Sequence, residues 1–270
     1  MAKDPTEQLR VRPGERVDLD RRDTDDTFGW RKDWAVAELE RVKQRLDLLQ
    51  QRLYAEEQHS VLLVLQAMDA AGKDGTIRSI LSGLNPQGVH VSSFKVPGGP
   101  EAQHDYLWRV HAAAPARGHI EVFNRSHYED VLVVRVKQFV SGPTWRRRYG
   151  HIKAFERQLD DEGTRVVKVF LHVSKDVQRE RLQERVDDPE KRWKFRKGDL
   201  ADRALWVEYR RAYADALSAT STERAPWYVV PADRNWVRNL LVARILLNVL
   251  EDLDPQLPPP EEGIEGIVID

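Results

Sequence analysis

The sequence predicts an α/β protein with a mostly parallel five-stranded sheet covered by helices on both faces. Short segments rich in valine and leucine alternate along the chain with segments of helical periodicity, and parallel strands need such helical crossovers. Residues 61–77 place a buried strand, a turn of small residues and the start of a helix in direct succession. This order is the layout of a phosphate-binding loop. The 270 residues suit one large domain.

The chain before the first strand divides into two parts. Residues 1–33 are polar, with a run of charge over 18–26, and we predict an extended N-terminal arm there. Residues 34–57 repeat apolar side chains at spacings of three and four, which predicts an amphipathic helix that packs against the body of the protein or against a second subunit. These apolar residues are Leu39, Val42, Leu46, Leu49 and Leu53.

Five strands and the helices between them follow in order. Apolar segments predict strands over residues 61–66, 89–94, 119–123, 165–173 and 227–230. Helical periodicity predicts helices from the small-residue turn to about residue 84 and over 101–111, 144–159, 174–186, 202–217 and 235–250, with a further helical stretch that ends near 139. The loops at the carboxyl ends of the strands should converge on one cleft.

Composition limits the classes of function. The formal net charge is −1, so no global field draws the protein to nucleic acid or to a membrane, and we expect neither as a partner. The absence of cysteine excludes disulfides and thiol chemistry and fits a cytoplasmic location. The N-terminus lacks a signal-peptide core, and the longest apolar run, residues 61–65, is far too short to span a bilayer.

The small-residue turn after the first strand carries the strongest functional signal. Its backbone N–H groups and the helix start can face an anion, and Lys73 adds a mobile positive charge. Two positions depart from the usual motif: Ala67 replaces its first glycine, and Asp74 replaces the hydroxyl residue that holds magnesium. Asp69 offers a carboxylate instead. The alternative is a turn that binds nothing. The expected phosphate-binding residues are Ala70, Ala71, Gly72, Lys73, Asp74, Gly75 and Thr76.

A polar cluster follows the third predicted strand directly. Asn124 can offer a carbonyl oxygen to a metal or order a metal-bound water, and Arg125 can form a fork onto a phosphate. Glu129 and Asp130 lie one helical turn further on, where they are either functional or ordinary acids at a helix start. We expect Asn124, Ser126, Glu129 and Asp130 on the nucleotide side of the site.

A basic stretch over residues 179–197 follows the fourth strand. It interleaves basic and aromatic side chains, as a mobile lid over a polyphosphate cleft would. Acidic residues are interspersed with them, and on spacing alone an ordinary solvated helix face explains the pattern better than a lid does. The candidate phosphate ligands in this stretch are Arg181, Arg185, Lys191 and Lys194.

Four motifs together resemble the polyphosphate kinase 2 family over about residues 35–255. They are Met68-Asp-Ala-Ala-Gly-Lys-Asp-Gly75, Phe123-Asn-Arg-Ser-His-Tyr-Glu-Asp-Val-Leu132, Lys191-Arg-Trp-Lys-Phe195 and Trp227-Tyr-Val-Val-Pro-Ala-Asp233. The resemblance implies a three-layer phosphate-loop (Walker A, or P-loop) kinase-like fold with a helical lid. We therefore assign residues 34–255 to that domain, about 181–205 within it to the lid, and 256–270 to a C-terminal tail.

The second motif resembles the third class of that family, whose members phosphorylate both AMP and ADP, because Asn124 stands where the first two classes usually carry Asp. By resemblance, Lys73 binds the phosphates, Arg125 is the arginine after the third strand, and Asp69 is the main protein ligand of Mg²⁺ (or Mn²⁺), with Asn124 subsidiary. We take Asp69, Lys73 and Arg125 as catalytic.

The resemblance implies reversible transfer of the terminal phosphoryl group of inorganic polyphosphate to AMP or ADP, with ATP formed or consumed, by a homo-oligomer (dimer or tetramer). Two alternatives remain at this point. One is an ATP-dependent kinase of a small metabolite on the same fold. The other is a phosphate-loop nucleotide-binding module without turnover, which Asn124 in place of Asp favours.

Overall fold

The computed structural model describes residues 4–264 and 266–269. Its sheet has six strands in the order β1-β6-β5-β2-β4-β3, and all pairs are parallel except β1 with β6. The strands are β1 (Arg10–Val11), β2 (Ser60–Ala67), β3 (Val89–Ser93), β4 (Ile120–Asn124), β5 (Thr164–His172) and β6 (Trp227–Pro231). The prediction of a mostly parallel α/β sheet is confirmed. The predicted count of five strands is wrong, because the short β1 adds an antiparallel edge.

Helices cover the sheet on both faces. They are α1 (Thr6–Leu9), α2 (Lys32–Glu56), α3 (Lys73–Leu81), α4 (Trp108–Ala112), α5 (Val133–Val136), α6 (Gly142–Asp161), α7 (Lys175–Asp187), α8 (Lys197–Ala204), α9 (Trp206–Thr220) and α10 (Asn235–Leu253). Helix α10 packs on α2, α3, β5 and β6, and α5, α6 and α9 pack with one another, with α6 against β5. The arrangement gives three layers, helix–sheet–helix. Within the described residues no helix is both long and apolar enough to cross a membrane.

The two central strands align the loops that form the site. Every residue of β2 is buried, and β5 is buried at all but one position, as expected for parallel strands covered on both faces. In the parallel register Leu65 lies opposite Asn124, and Ala67 lies opposite Leu171. The carboxyl ends of β2, β4 and β5 therefore lie side by side, with their following loops at one edge.

The leucine stripe of α2 faces the body of the same chain. Its apolar side chains, among them Leu46, Leu49 and Leu53, are almost fully buried, and α2 packs along α10. Each buried leucine contributes roughly 1.5–3 kcal/mol relative to an exposed one. The sequence left two packing partners open for this helix, the body of the protein and a second subunit. In the structure the helix packs against the body of the same chain. This stripe is therefore not free to contact a second subunit.

Two predicted helices have different bounds in the structure. The helix predicted over 101–111 is wrong in its first half. Residues Gly99–Gln103 form a 3₁₀ turn instead, and α4 begins only at Trp108, after Asp105 Oδ1 accepts a hydrogen bond from Leu107 N at 2.9 Å. The helix predicted over 202–217 is divided at Leu205 into α8 and α9. Between α7 and α8, Arg192–Lys194 form one further 3₁₀ turn.

The segment predicted as an extended arm, residues 1–33, packs on the body where it is described. Leu9, Val11 and Trp30 are buried, and the Val11 carbonyl accepts from Ser221 Oγ at 2.6 Å. Apolar residues alternate with polar ones only briefly, over residues 9–12 and 17–20, so the strand signal within this charged segment is short and was missed. The domain boundary at residue 34 and the tail over 256–270 stay predictions.

A buried ionic network lies beneath β4 and β5. Lys168 Nζ donates to Glu156 Oε2 at 2.6 Å, to Tyr128 Oη at 3.1 Å and to the Thr220 carbonyl at 2.8 Å. Burial lowers the pKa of Lys168, which Glu156 opposes, and Lys168 in turn holds the pKa of Glu156 below its usual value against the effect of burial. Because Tyr128 follows β4 closely, this network fixes the segment that begins at Arg125.

Candidate active site

The phosphate loop joins β2 to α3 at the carboxyl edge of the sheet. Gly72 occupies the N-cap of α3 with φ +101°, a conformation that favours glycine. Gly72 has no side chain to cap the helix. The first backbone hydrogen bond of α3 is donated by Thr76 N to the Gly72 carbonyl at 3.0 Å. The N–H groups of the first turn therefore remain open at the helix start, where the dipole favours anions.

The amine of Lys73 lies at this helix start. Its Nζ donates to the Ala67 carbonyl at 3.3 Å. Burial, and next the positive charge of Arg125, lower the pKa of Lys73, while Asp69, Glu129 and Asp74 act in the opposite direction. An anion that enters the site would stabilise the charged amine and raise this pKa again.

Asp69 and Arg125 form an ion pair across the cleft, with Arg125 Nη2 at 3.0 Å from Asp69 Oδ1. Arg125 has φ +63°, and its backbone N–H donates to the Leu65 carbonyl at 3.2 Å, which ties the loop after β4 to β2. The carboxylates of Glu129 and Asp69 raise the pKa of Arg125 against the effect of burial. Asn124 Nδ2 donates to Asp74 Oδ1 at 2.8 Å, so the last residue of β4 and the first residue after it both contact the phosphate loop.

The remaining residues predicted on the nucleotide side occupy different places. Ser126 is buried, and its hydroxyl accepts from Tyr128 N at 3.2 Å. Asp130 faces away from the cleft, where Arg148 Nη1 donates to its carboxylate at 3.2 Å. Glu129 lies in a small adjoining pocket of about 60 Å³ that also touches Asp69 and Arg125. Burial raises the pKa of Glu129. Only Asn124 of the four lines the main cleft.

The main cleft has a volume of about 540 Å³ and runs from the phosphate loop to the lid segment, residues 181–205. Twelve predicted site residues line it: Asp69, Ala70, Gly72, Lys73, Asp74, Gly75, Asn124, Arg125, Arg181, Arg185, Lys191 and Lys194. Eight Lys or Arg residues and four Asp or Glu residues contribute to this lining, so positive charge is in excess. Ala71 and Thr76 are buried behind the lining.

The basic residues of the lid segment differ in how they are held. Arg185 Nη1 lies 3.8 Å from Asp199 Oδ2. Lys191 Nζ contacts Glu184 Oε1 and lies 3.0 Å from Asp188 Oδ2. Lys194 places its Nζ 5.1 Å from the ring centre of Trp193. The Lys191 contacts lie at the surface, where ion pairs are weak, so an incoming polyanion can replace them. The pair of Arg185 and Asp199 is more buried, with side chains 24% and 15% exposed.

Arg181 has a different environment from the other three. Its two terminal nitrogens donate to four backbone carbonyls, those of Ala70, Ala71, Ala232 and Asp233, at 2.7 to 3.2 Å. Burial lowers its pKa. The side chain therefore braces the phosphate loop as well as bordering the cleft, a task that the spacing of basic residues does not reveal.

Sequence reasoning missed three basic residues of the site. Lys95 and Arg196 line the cleft, and Lys95 had a usable signal, because it follows the carboxyl end of β3. Arg238 of α10 is buried, and its Nη1 donates to the Ala71 carbonyl at 3.0 Å. Its sequence signal is weak, because α10 is mostly apolar but also carries Arg244 and Asn239.

The side chains around Asp69 suit a divalent metal that is held partly by substrate. Among the described residues no cluster of three or more His, Cys, Asp or Glu could cage a metal ion. Asp69 and Asp74 nevertheless offer carboxylate oxygens in one cleft with the amide of Asn124. Mg²⁺ is typically bound by one or two carboxylates together with substrate phosphates and water, so this set of oxygen donors fits it.

The fold and the cleft define a phosphotransferase of the phosphate-loop class. The family model described as Polyphosphate kinase 2 (PPK2) matches residues 30–258. The chain belongs to the polyphosphate kinase 2 family and is an enzyme of that type.

Two curated relatives and one solved structure support this assignment over nearly the whole chain. An AMP/ADP-polyphosphate phosphotransferase of Meiothermus ruber is 58% identical, with 97% of this chain and 99% of the relative covered. An ADP-polyphosphate phosphotransferase of Rhodopseudomonas palustris is 48% identical over 94% of this chain and 92% of the relative. The crystal structure of polyphosphate kinase 2 from Arthrobacter aurescens TC1 matches with a TM-score of 0.93 and 43% identity, covering 97% of this chain and 94% of that one. The two alternatives, a small-metabolite kinase and a module without turnover, are not favoured.

Proposed function

We propose that this enzyme transfers the terminal phosphoryl group of inorganic polyphosphate to AMP and to ADP, and that it uses ATP as donor in the reverse direction. The observation that carries the proposal is the cleft, in which eight basic and four acidic residues extend from the phosphate loop to the lid segment. Polyphosphate is a linear polyanion that needs a track of cations and few other contacts. Its affinity should therefore fall as salt concentration rises.

The names of the relatives support both acceptors. The Meiothermus ruber relative is named for AMP and ADP and the Rhodopseudomonas palustris relative for ADP. Asn124 is the last residue of β4 and contacts the phosphate loop through Asp74, and Glu129 lies beside Asp69 and Arg125. We assign the nucleotide side of the cleft to Asn124 and Glu129. Ser126 and Asp130 act on that side by holding the segment in place.

In the proposed reaction an oxygen of the acceptor's terminal phosphate bonds to the end phosphorus of polyphosphate. The bond from that phosphorus to its bridging oxygen breaks, and the shortened polyphosphate leaves with the electron pair. Positioning and charge neutralisation suffice for such an in-line transfer, so no protein nucleophile is needed. Lys73 and Arg125 neutralise charge on the transferring group.

We propose Mg²⁺, or Mn²⁺ in its place, as the cofactor, with Asp69 as its main protein ligand and Asn124 subsidiary. The Asn124 nitrogen donates to Asp74, which leaves its carbonyl oxygen for a metal or a metal-bound water. Held by these residues, a bound Mg²⁺ would act as a Lewis acid and neutralise charge that develops on the transferring phosphoryl group. Arg125 holds one Asp69 oxygen at 3.0 Å and so orients the carboxylate.

We also propose that residues 181–205 act as a lid over the cleft. The proposed location is the cytoplasm, where the acceptors AMP and ADP are found. The proposed assembly is a homo-oligomer, either a dimer or a tetramer. The apolar stripe of α2 is already buried against α10. An oligomer must therefore use another surface. Light scattering on the purified protein would measure the subunit number.

The decisive test supplies long-chain polyphosphate as the sole donor, with Mg²⁺ and either AMP or ADP, and separates the nucleotides by chromatography. We expect ADP and ATP from AMP, and ATP from ADP. Lys73→Met serves as the inactive control. Phosphorylation only when ATP is the donor would instead indicate a small-metabolite kinase, and nucleotide binding without any product would indicate a binding module.

A further inference from the structure

Two arginine side chains hold the phosphate loop from behind. Arg181 Nη1 donates to the carbonyls of Ala70 and Ala71 at 3.2 and 3.1 Å, and Arg238 Nη1 donates to the Ala71 carbonyl at 3.0 Å. The C=O and N–H of a planar trans peptide point in opposite directions. A carbonyl that is held behind the loop therefore turns the next N–H, here that of Gly72, toward the cleft.

The other carbonyls of the loop are engaged as well. The Asp69 carbonyl accepts from Gln178 Nε2 at 3.0 Å, and the Met68 carbonyl accepts from Ala71 N at 3.2 Å. The Gly72 carbonyl accepts from Thr76. All carbonyls of residues 68–72 thus have protein partners. Their negative ends are held away from an entering phosphate chain, which would otherwise be repelled.

Arg238 places positive charge directly beneath the glycine of the loop. A Cβ added to Gly72 would lie 2.2 Å from Arg238 Nη1, so only the glycine backbone separates the guanidinium from the cleft. Its hydrogen-bond partners are neutral, namely the Ala71 carbonyl and Asn239 Oδ1. Burial and the nearby Arg181 lower the pKa of Arg238 to about 10, so it remains charged at neutral pH. A buried cation with neutral partners is stabilised when an anion arrives nearby.

Arg181 links the loop to two other elements. Its Nη2 donates to the carbonyls of Ala232 and Asp233, at 2.9 and 2.7 Å, which follow β6. It lies on α7, the helix that leads into the remainder of the lid segment. The same guanidinium therefore fixes the phosphate loop relative to the loop before α10 and to the base of the lid segment.

We propose that Arg181 and Arg238 are positioning residues for phosphoryl transfer, an inference that rests on the function proposed above. They act through the loop rather than on the reacting atoms. They hold the Ala70 and Ala71 carbonyls, which turns the Gly72 N–H toward the phosphate chain, and Arg238 supplies positive charge below Gly72. Their loss should weaken the binding of any polyphosphate before it alters the handling of the nucleotide.

The test compares Arg238→Met, Arg238→Lys and Arg181→Met with the wild type. Arg179→Met is the matched control, because Arg179 is exposed on the same helix as Arg181 and lies outside the cleft. Calorimetry measures the binding of tripolyphosphate. Steady-state kinetics with polyphosphate and AMP give KM and kcat, and thermal unfolding gives the unfolding midpoint. We expect both Met variants to weaken tripolyphosphate binding and raise the KM for polyphosphate by roughly tenfold to a hundredfold, the range for hydrogen bonds from a charged group.

Further results separate positioning from a merely structural role. The KM for AMP should stay within about twofold of the wild type, Arg238→Lys should recover part of the binding, and Arg179→Met should match the wild type. The proposal would be overturned if both Met variants bound tripolyphosphate with an affinity within about twofold of the wild type and differed from it only in a lower unfolding midpoint. If Arg238→Met does not fold, Arg238→Lys and Arg181→Met decide by the same criterion. A wild type that binds tripolyphosphate but never transfers phosphate would overturn the proposed function, while the binding comparison would still judge the arginines.

Discussion

Replacement of Lys73 by methionine should separate catalysis from stability. Lys73 Nζ has one neutral partner, the Ala67 carbonyl at 3.3 Å, and such a bond contributes about 1 kcal/mol. Burial already lowers the pKa of this amine, so removing the charge also removes an unfavourable desolvation. We therefore expect the free energy of unfolding to fall by no more than about 1 kcal/mol.

The effect on turnover should be far larger. Lys73 lies at the start of α3, where the phosphates bind in the proposed reaction, and the loss of one preorganised cation at the transferring group lowers kcat by roughly 10²- to 10³-fold. This factor corresponds to about 3–4 kcal/mol in the barrier. The assay follows ATP formed from ADP and polyphosphate, beside thermal unfolding of the same preparation. Lys153→Met is the control, because Lys153 is exposed on α6. A Lys73→Met enzyme with kcat within about tenfold of the wild type would refute this reasoning.

Three further predictions concern the metal, the buried network and pH. Asp69→Asn should raise the Mg²⁺ concentration needed for half-maximal turnover at least about tenfold; an unchanged titration would exclude Asp69 as the ligand. Lys168→Met should lower the free energy of unfolding by about 3–5 kcal/mol, because it leaves the buried Glu156 carboxylate without its lysine, with only Tyr128 and His127 as partners, and adding Glu156→Gln should restore part of that loss in denaturant titrations. Burial raises the pKa of Glu129 above its ordinary 4.5, so the native state binds this proton more tightly than the unfolded chain, and the associated stability is lost as pH rises through the raised pKa. Glu129→Gln should thus gain stability relative to the wild type as pH rises above 4.5; a constant difference across the pH range would show that Glu129 is not responsible.

Much of the architecture was accessible from sequence because its signals are local. The strands β2 and β5 are apolar on both faces, and the turn from Asp69 to Lys73 carries its own small residues and lysine. The edge strand β1 was missed, because its alternating pattern over residues 9–12 is short. It has only two residues, and its pairing with β6 depends on contacts formed more than 200 positions away.

The residues of the site likewise fall into those that local sequence signals identify and those that they do not. Residues at or near the carboxyl end of a strand, such as Asn124, Arg125 and the loop lysine Lys73, line the cleft as the predicted topology implies. Side chains that support the loop from other helices were not recognised as supports, because neither Arg181 nor Arg238 differs in sequence from an ordinary helical arginine. A residue pattern can at most indicate that Arg238 is buried, whereas the roles of both arginines follow from the loop carbonyls that they contact.

A crystal structure of the enzyme with a short polyphosphate bound would test the central claim most directly. We expect the phosphate chain to lie between the start of α3 and the lid segment, within hydrogen-bonding distance of Lys73 and of the first-turn N–H groups of α3. A chain bound elsewhere on the molecule, with this cleft containing only solvent, would contradict the account.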